Sequence, residues 1–344
     1  MHAREAAGRG DAGRARGGPR RARRRARDRG TGEVSVRVGG SGVLVVNKGS
    51  GVTSFDVVAL LRRRLGVRRV GHAGTLDPAA TGVLPILIGE ATKLTPYLMD
   101  HDKEYVAMVR FGLTTDTHDV GGRVLSEVMV SRLERRELEE ASRPFVGRIK
   151  QVPPMYSAVH HEGRRLYELA REGIEVDRAP REVVVHSIAV EQVAPPRAAL
   201  RVVCGKGTYV RVLAADLGAA LGYGGAVEWL VRSRVGPFSL ANAVPWADVV
   251  SADPSALWSR VTRPESALAG WRSVPLDERA AVAFVHGQAV EVPGPARGGD
   301  GSSVRVHDVT GALIGVGAIT ADGRQVKPVR ILHADRPGTR ILPA

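Results

Sequence analysis

The sequence predicts an α+β protein, a mixed α/β core followed by a small all-β unit. Three observations carry that expectation. From about Val36 onward, short apolar or alternating stretches of strand type are interleaved with stretches of helical period. From about Arg272 the texture changes to short alternating runs, VRVHDV and LIGVGAI, separated by turns such as PGPARGGDGSS, the pattern of a small β domain. Finally, 344 residues with 43% hydrophobic and 25% charged content suffice for one large domain plus a small one. The expected division is a tail at 1–34, a main domain at 35–271 and a C-terminal domain at 272–344.

Residues 1–34 are Arg/Gly/Ala sequence with almost no apolar side chain larger than Ala, so they cannot offset the entropy of ordering and are expected to be disordered. Residues 1–30 hold 11 Arg against Glu5, Asp11 and Asp28, so they contribute +8 of the formal +14 charge. The pI near 10.7 points to a polyanionic partner, and the tail could supply non-specific phosphate contacts. The single cysteine, Cys204, excludes an intramolecular disulfide framework and any CxxC metal knuckle. No apolar run approaches the roughly 18 residues that span a bilayer, and the Arg-rich start lacks an apolar h-region. A soluble, cytoplasmic protein with no membrane contact is expected.

Val43 to Val46 reads as a strand ending in Asn47-Lys48-Gly49. Thr53 and Asp56 resemble a capping box. Phe55, Val58, Leu61 and Leu65 mark a helical face that Gly66 closes, with Arg62, Arg63 and Arg64 on the helix. Val83 to Ile88 is a continuous apolar strand buried on both faces, and Ala91 to Asp100 a short helix. Tyr105, Ala107, Val109 and Phe111 alternate as a strand. Asp116, His118 and Asp119 fit a hairpin turn better than a metal site. Ser131 with Glu134 opens a charged helix through Ala141, and a second helix runs from about Gly163 to Arg171. The adjacent His160 and His161 are poorly spaced for one metal. Val183 to Val190 and Leu200 to Cys204 are strands, the second running through Gly205-Lys206-Gly207 into a helix whose start could offer N–H groups to an anion. Trp229 to Phe238 is expected to turn from helix into strand.

Gly71 to Leu84, GHAGTLDPAATGVL, stands out for chemistry. It places one carboxylate, Asp77, among glycines that permit tight turning, before Pro78, which fixes φ, and beside a buried strand. A carboxylate held in this way suits a nucleophile or general base. It also suits an Asp that merely caps a turn. Lys48, His72, Tyr105 and Arg211 lie at neighbouring strand edges or loop junctions. HExxH, GxSxG, paired carboxylates and nucleotide-binding fingerprints are missing from the sequence. Residue chemistry alone reaches an enzyme or binder that acts on an anionic polymer.

The segments GHAGTLDPAATGVLPILIGEATKL, DKEYVAMVRFGLTTDTHDVGG, QVPPMYSAVHHEGRRLYELAREG, GKGTYVRVLAADLG and LVRSRVGPF, in that order, resemble the TruB family of tRNA pseudouridine synthases. The resemblance implies a pseudouridine-synthase core with a bent, largely antiparallel mixed sheet and a C-terminal PUA-like RNA-binding domain. It implies isomerisation of the T-loop uridine 55 of tRNA through a flipped-out base, without cofactor or metal. By the same resemblance Asp77 is the nucleophile, Arg211 its partner and Tyr105 the residue stacked on the uracil. His72 fills space left by the flipped base, Tyr209 and Leu230 line the pocket, and Lys48 braces the loop. Action on the tRNA T-arm with no obligatory protein partner is implied, and a monomer is expected because no amphipathic seam is left unassigned. A non-catalytic RNA-binding protein or tRNA-folding chaperone is the competing reading. Three positions depart from the family pattern: Asn47 and Gly49 flank Lys48 where Asp-Lys-Pro is usual, and His160 stands where many members carry lysine.

Overall fold

The structure is a computed structural model, and it describes residues 40–292 and 301–333. The Arg-rich stretch 1–34 lies outside the described residues.

The main part opens with β1 (Gly42–Lys48), α1 (Ser54–Leu65), β2 (Val70–His72), β3 (Thr81–Ile88), α2 (Thr95–Asp100) and β4 (Lys103–Phe111). A hairpin, β5 (Leu113–Thr115) and β6 (Val124–Glu127), precedes α3 (Arg135–Ser142), β7 (Gly147–Gln151) and a second, minimal hairpin, β8 (His160–His161) and β9 (Arg164–Arg165). Then come α4 (Leu166–Arg171), β10 (Arg181–Ala194), β11 (Arg197–Cys204), α5 (Val210–Ala220), β12 (Gly225–Val235), β13 (Phe238–Ser239), β14 (Val244–Pro245), α6 (Trp246–Ser251) and α7 (Pro254–Ser259). The large sheet runs β14-β1-β3-β12-β4-β11-β10-β7, with β13 added to β12 and β2 to β3. Its pairings are antiparallel except β1–β14 and β3–β12, so it is mixed and largely antiparallel.

Local chemistry explains the elements flanking the site. The Thr53 hydroxyl accepts the Asp56 N–H at 3.0 Å and Asp56 Oδ2 accepts the Thr53 N–H at 2.9 Å, so two orphan donors at the start of α1 are satisfied reciprocally. Gly66 ends that helix at φ 65°, which costs glycine nothing. Val57, Val58, Leu61 and Leu65 form its buried face; Phe55, expected among them, is 65% exposed because it lies off that stripe. From Val83 to Ile88 β3 is apolar because both of its faces are covered: Val83, Leu84, Ile86, Leu87 and Ile88 are fully buried.

Three expected boundaries move. α3 begins at Arg135 under a Glu134–Glu137 capping box rather than at Ser131. Gly163 to Arg165 belongs to the minimal hairpin, and helix α4 starts only at Leu166. The segment from Trp229 holds no helix: it is strand to Val235, turns at Gly236-Pro237 and pairs back as β13 from Phe238. A bulge between Val227 and Trp229 breaks its alternation, so its apolar residues no longer show a clean period of two.

The C-terminal part has β15 (Ser273–Pro275), α8 (Glu278–Val285), β16 (Val290–Glu291), β17 (Ser303–His307), β18 (Leu313–Ile319) and β19 (Gln325–Ile331). Its sheet order is β15-β17-β18-β19-β16, and α8 buries Phe284 and Ala281 in the same core as Val304, Val306 and Ile314. The expected small β unit is present and carries this one helix. Val316 and Leu332 join a second core with Val43, Leu87, Leu98 and Phe238, which seats the unit against the main sheet. Lys93 Nζ donates to Ile331 O at 2.9 Å, and Tyr97 meets Trp271 edge-on with centroids 5.2 Å apart across the same junction. Among the described residues no helix is long and apolar enough to cross a membrane.

Candidate active site

The loop 73–80 joins β2 to β3 and carries Asp77. Buried Ala73, Leu76 and Ala80 anchor it. The Ser54 hydroxyl accepts the Leu76 N–H at 2.9 Å and returns a bond to Leu76 O at 3.2 Å. Gly51 N donates to Pro78 O at 2.9 Å. The turn at Asp77 is closed by backbone, Ala80 N donating to Asp77 O at 3.1 Å. The carboxylate is therefore not needed as a turn cap, and it faces Arg211, whose Nε donates to Asp77 Oδ2 at 2.7 Å.

Arg211 sits in the first turn of α5 with its side chain only 5% exposed. Its Nη1 donates to Thr117 O at 2.7 Å and its Nη2 to Tyr156 O at 2.9 Å, so one planar guanidinium ties two further loops to the carboxylate. The helix start is itself fixed. Buried Gln151 accepts the Tyr209 N–H at 3.0 Å through Oε1 and donates to Tyr209 O at 3.3 Å through Nε2. The turn before α5 thus gives its Tyr209 N–H to Gln151, not to an anion as expected, and Lys206 pairs with Asp100 at 2.8 Å. Asp119 lies 3.9 Å from Arg211 Nη1, and its Oδ1 accepts from Thr117 Oγ1 at 2.9 Å and from Gly121 N at 3.0 Å. The Asp116–His118–Asp119 stretch is hairpin-turn chemistry, and no cluster of metal-ligating type occurs among the described residues.

Asp77, Arg211, Asp119, Ala80, Val120 and Leu230 line a recess of about 180 Å³, with half-exposed Trp229 at its rim. Tyr209, the residue before α5, is near enough to feel the Asp77 charge, and burial pushes its phenol pKa up. Tyr105 on β4 is likewise raised by burial, with Arg232 acting in the opposite sense, so it carries its proton at neutral pH. His72 ends β2. Burial first, then the Arg232 and Arg165 charges, lower its pKa and favour the neutral ring, whose Nδ1 is buried without a hydrogen-bond partner.

Lys48 is fully buried at the end of β1, and its ammonium donates to Gly49 O at 2.8 Å, Val52 O at 2.8 Å and Pro78 O at 3.1 Å. Burial lowers its pKa to about 8, with Asp77 opposing that shift and Arg232 adding to it. The residues flanking Lys48 lend no side chain to this brace; the bonds from its Nζ go to backbone carbonyls, so Asn47 and Gly49 leave it in place.

Of the residues singled out from sequence, Asp77, Arg211 and Leu230 line the recess, and Lys48, Tyr105 and Tyr209 lie within reach of the Asp77 charge. His72 has Arg232 and Arg165 as its charged neighbours instead, and His160 and His161 fall in the β8–β9 hairpin. Sequence reasoning missed Gln151, Ser54, Asp119's link to Arg211, and Arg232. Arg232 is 1% exposed and donates to Val83 O at 2.8 Å, Gly74 O at 3.0 Å and Thr75 O at 3.3 Å. The one signal for it is a cation within the otherwise strand-like LVRSRVGPF.

A family model described as TruB family pseudouridylate synthase (N terminal domain) matches residues 62–210. One described as pseudouridine synthase II TruB, C-terminal, matches residues 273–332. The chain is 42% identical over 298 residues to the tRNA pseudouridine synthase B of Pseudomonas aeruginosa, covering 86% of this chain and 96% of that one. With the tRNA pseudouridine synthase B of Symbiobacterium thermophilum it shares 46% identity over 254 residues, 73% of this chain and 83% of the relative. A solved structure of a Cbf5-Nop10-Gar1 complex contains a chain that matches the fold with a TM-score of 0.65 at 25% identity, over 86% of this chain and 85% of that one. With its relatives matched over nearly their whole length and the fold shared as well, this chain belongs to the TruB family of pseudouridylate synthases, which are isomerases.

Proposed function

We propose that this protein converts uridine 55 in the T-loop of tRNA to pseudouridine, with Asp77 as the nucleophile. The observation that carries the reading is the Asp77–Arg211 contact of 2.7 Å at a recess that also presents Leu230. The named relatives are tRNA pseudouridine synthases, which supports tRNA as the substrate. The catalytic core spans 35–271 and the PUA-like RNA-binding domain 272–344 in this reading, and the protein works as a cytoplasmic monomer on the T-arm.

The reaction breaks the N1–C1′ bond, turns the base and forms a C5–C1′ bond. N1 ends with a proton and C5 gives one up, so substrate and product are isomers and no redox step is involved. Asp77 attacks C6 of the base or C1′ of the ribose, or assists departure of the base through a glycal. Arg211 orients the carboxylate through the charge-assisted hydrogen bond from its Nε. Tyr105 stacks on the uracil, Tyr209 and Leu230 line the pocket, and His72 takes up space in the stack left by the extruded base. Lys48 fixes the loop from below.

Tritium release from C5-labelled uridine in a T-arm RNA tests this. The purified protein should release label without any added factor, and Asp77→Ala should not. Tight RNA binding with no release from wild type would instead favour an RNA-binding protein or tRNA-folding chaperone.

A further inference from the structure

With Asp77 taken as the reacting carboxylate, as above, we propose that Arg232 is a positioning residue for the reaction. It locks the Asp77 loop to the strand that faces Tyr105. Arg232 is among the largest fully buried side chains, and its guanidinium is met by the carbonyls of Gly74, Thr75 and Val83 rather than by a carboxylate. An arginine buried in this way carries a heavy desolvation penalty that an apolar residue of similar size would avoid. A fold gains little from it unless the geometry it enforces matters. The acceptors are not scattered. Gly74 and Thr75 lie in the Asp77 loop, and Val83 is on the strand that leaves it.

The backbone is shaped around the same residue. Gly82, at φ 107°, pairs with Arg232 across the parallel β3–β12 contact, and a Cβ at Gly82 would come within 2.3 Å of Arg232 O. Gly74 takes φ 92°, which turns its carbonyl into the fork. Gly82 is required by the β12 backbone at position 232, whatever side chain stands there, whereas Gly74 gives its carbonyl to the Arg232 guanidinium itself. On its other side, β12 places Arg232 directly opposite Tyr105 of β4. Gly82, Arg232 and Tyr105 therefore form a row across three strands, with the nucleophile's loop at one end and the stacking residue at the other. Opposed residues of neighbouring strands share a face, so a shift of Arg232 moves both.

Arg232→Lys and Arg232→Met, compared with wild type, test the proposal by three measurements: circular dichroism for folding, kcat and KM in the tritium-release assay, and amide hydrogen exchange in 73–80. Lysine keeps the charge but cannot reach three carbonyls in one plane. We expect Arg232→Lys to lose roughly 10-fold and Arg232→Met roughly 100-fold in kcat, the scale set by misplacing a reacting group by about 1 Å. KM should stay within about threefold, and exchange should quicken in 73–80 while β10 and β11 remain protected. A folded Arg232→Lys with wild-type kcat overturns the proposal. So does faster exchange spread evenly over the whole core, which would make Arg232 a packing residue only. If Arg232→Met does not fold, Arg232→Lys decides. If wild type itself releases no label, the proposed reaction fails, and loop exchange alone still decides whether Arg232 holds the loop.

Discussion

Nε of Arg211 donates to Oδ2 of Asp77 at 2.7 Å, while the same guanidinium reaches Thr117 O and Tyr156 O at 2.7 and 2.9 Å. Asp77 is partly open to the recess and Arg211 is almost wholly buried, so the arginine is the fixed member and the carboxylate the presented one.

Arg211→Lys should therefore do more harm than a conservative label suggests. A lysine supplies one compact ammonium on a flexible stem and cannot bridge all three acceptors. We expect kcat to fall roughly 100-fold, as misorientation of a reacting group would give. Losing buried partners for two carbonyls should also destabilise the fold by about 1–3 kcal/mol. Urea unfolding and single-turnover tritium release read the two effects separately.

Asp77→Asn keeps the shape of the side chain and removes its charge. If the carboxylate attacks the nucleoside, label release should fall by roughly a thousandfold or more, because an amide is a far weaker nucleophile. RNA affinity, measured by filter binding, should change by less than about threefold, since the recess walls are unaltered. Comparable loss of binding and turnover would place Asp77 in recognition rather than chemistry.

The places where sequence and structure agree share a physical cause. The pairing of Arg211 with Asp77, 134 positions away, comes from the family resemblance alone, but Asp77 and Lys48 sit at a turn and a strand end, where residue type is dictated locally and leaves a readable pattern. The capping box at Thr53 and Asp56 was legible for the same reason. Arg232 and Gln151 were not, because their partners are backbone carbonyls and an N–H 149–158 and 58 positions away, which constrain no side chain that could be read. The strand from Gly225 to Val235 was obscured by its own bulge, and Phe55 by an apolar residue type at an exposed position.

The Arg-rich tail gives a prediction independent of the site. Residues 1–30 hold 11 Arg, and each phosphate neutralised adds to the salt dependence of binding. Deleting 1–34 should weaken RNA binding mainly at low salt and flatten the slope of log affinity against log salt. Turnover at saturating RNA should be unchanged. An identical slope in both proteins would mean that the tail makes no phosphate contact.

Lys48 predicts opposite pH responses for stability and for turnover. Its pKa is lowered from 10.5 to about 8 in the fold. Below pH 8 both folded and unfolded chains hold the proton, and the group makes no pH dependence. Between about 8 and 10.5 the unfolded chain binds more protons, so this group makes stability rise with pH, by up to about 3 kcal/mol over the full window. Urea midpoints from pH 7 to 9.5 should climb in wild type relative to Lys48→Met, which has nothing to titrate. Turnover should go the other way. Three carbonyls match the three donors of an ammonium, and a neutral amine has only two N–H bonds, so one of Gly49, Val52 or Pro78 loses its bond to Lys48 above pH 8. Because Pro78 follows Asp77 directly, kcat should decline along a titration with an apparent pKa near 8. Lys48→Met should be slower at every pH and lack that alkaline limb. If wild type keeps full kcat to pH 9.5, the lysine's charge does not hold the loop.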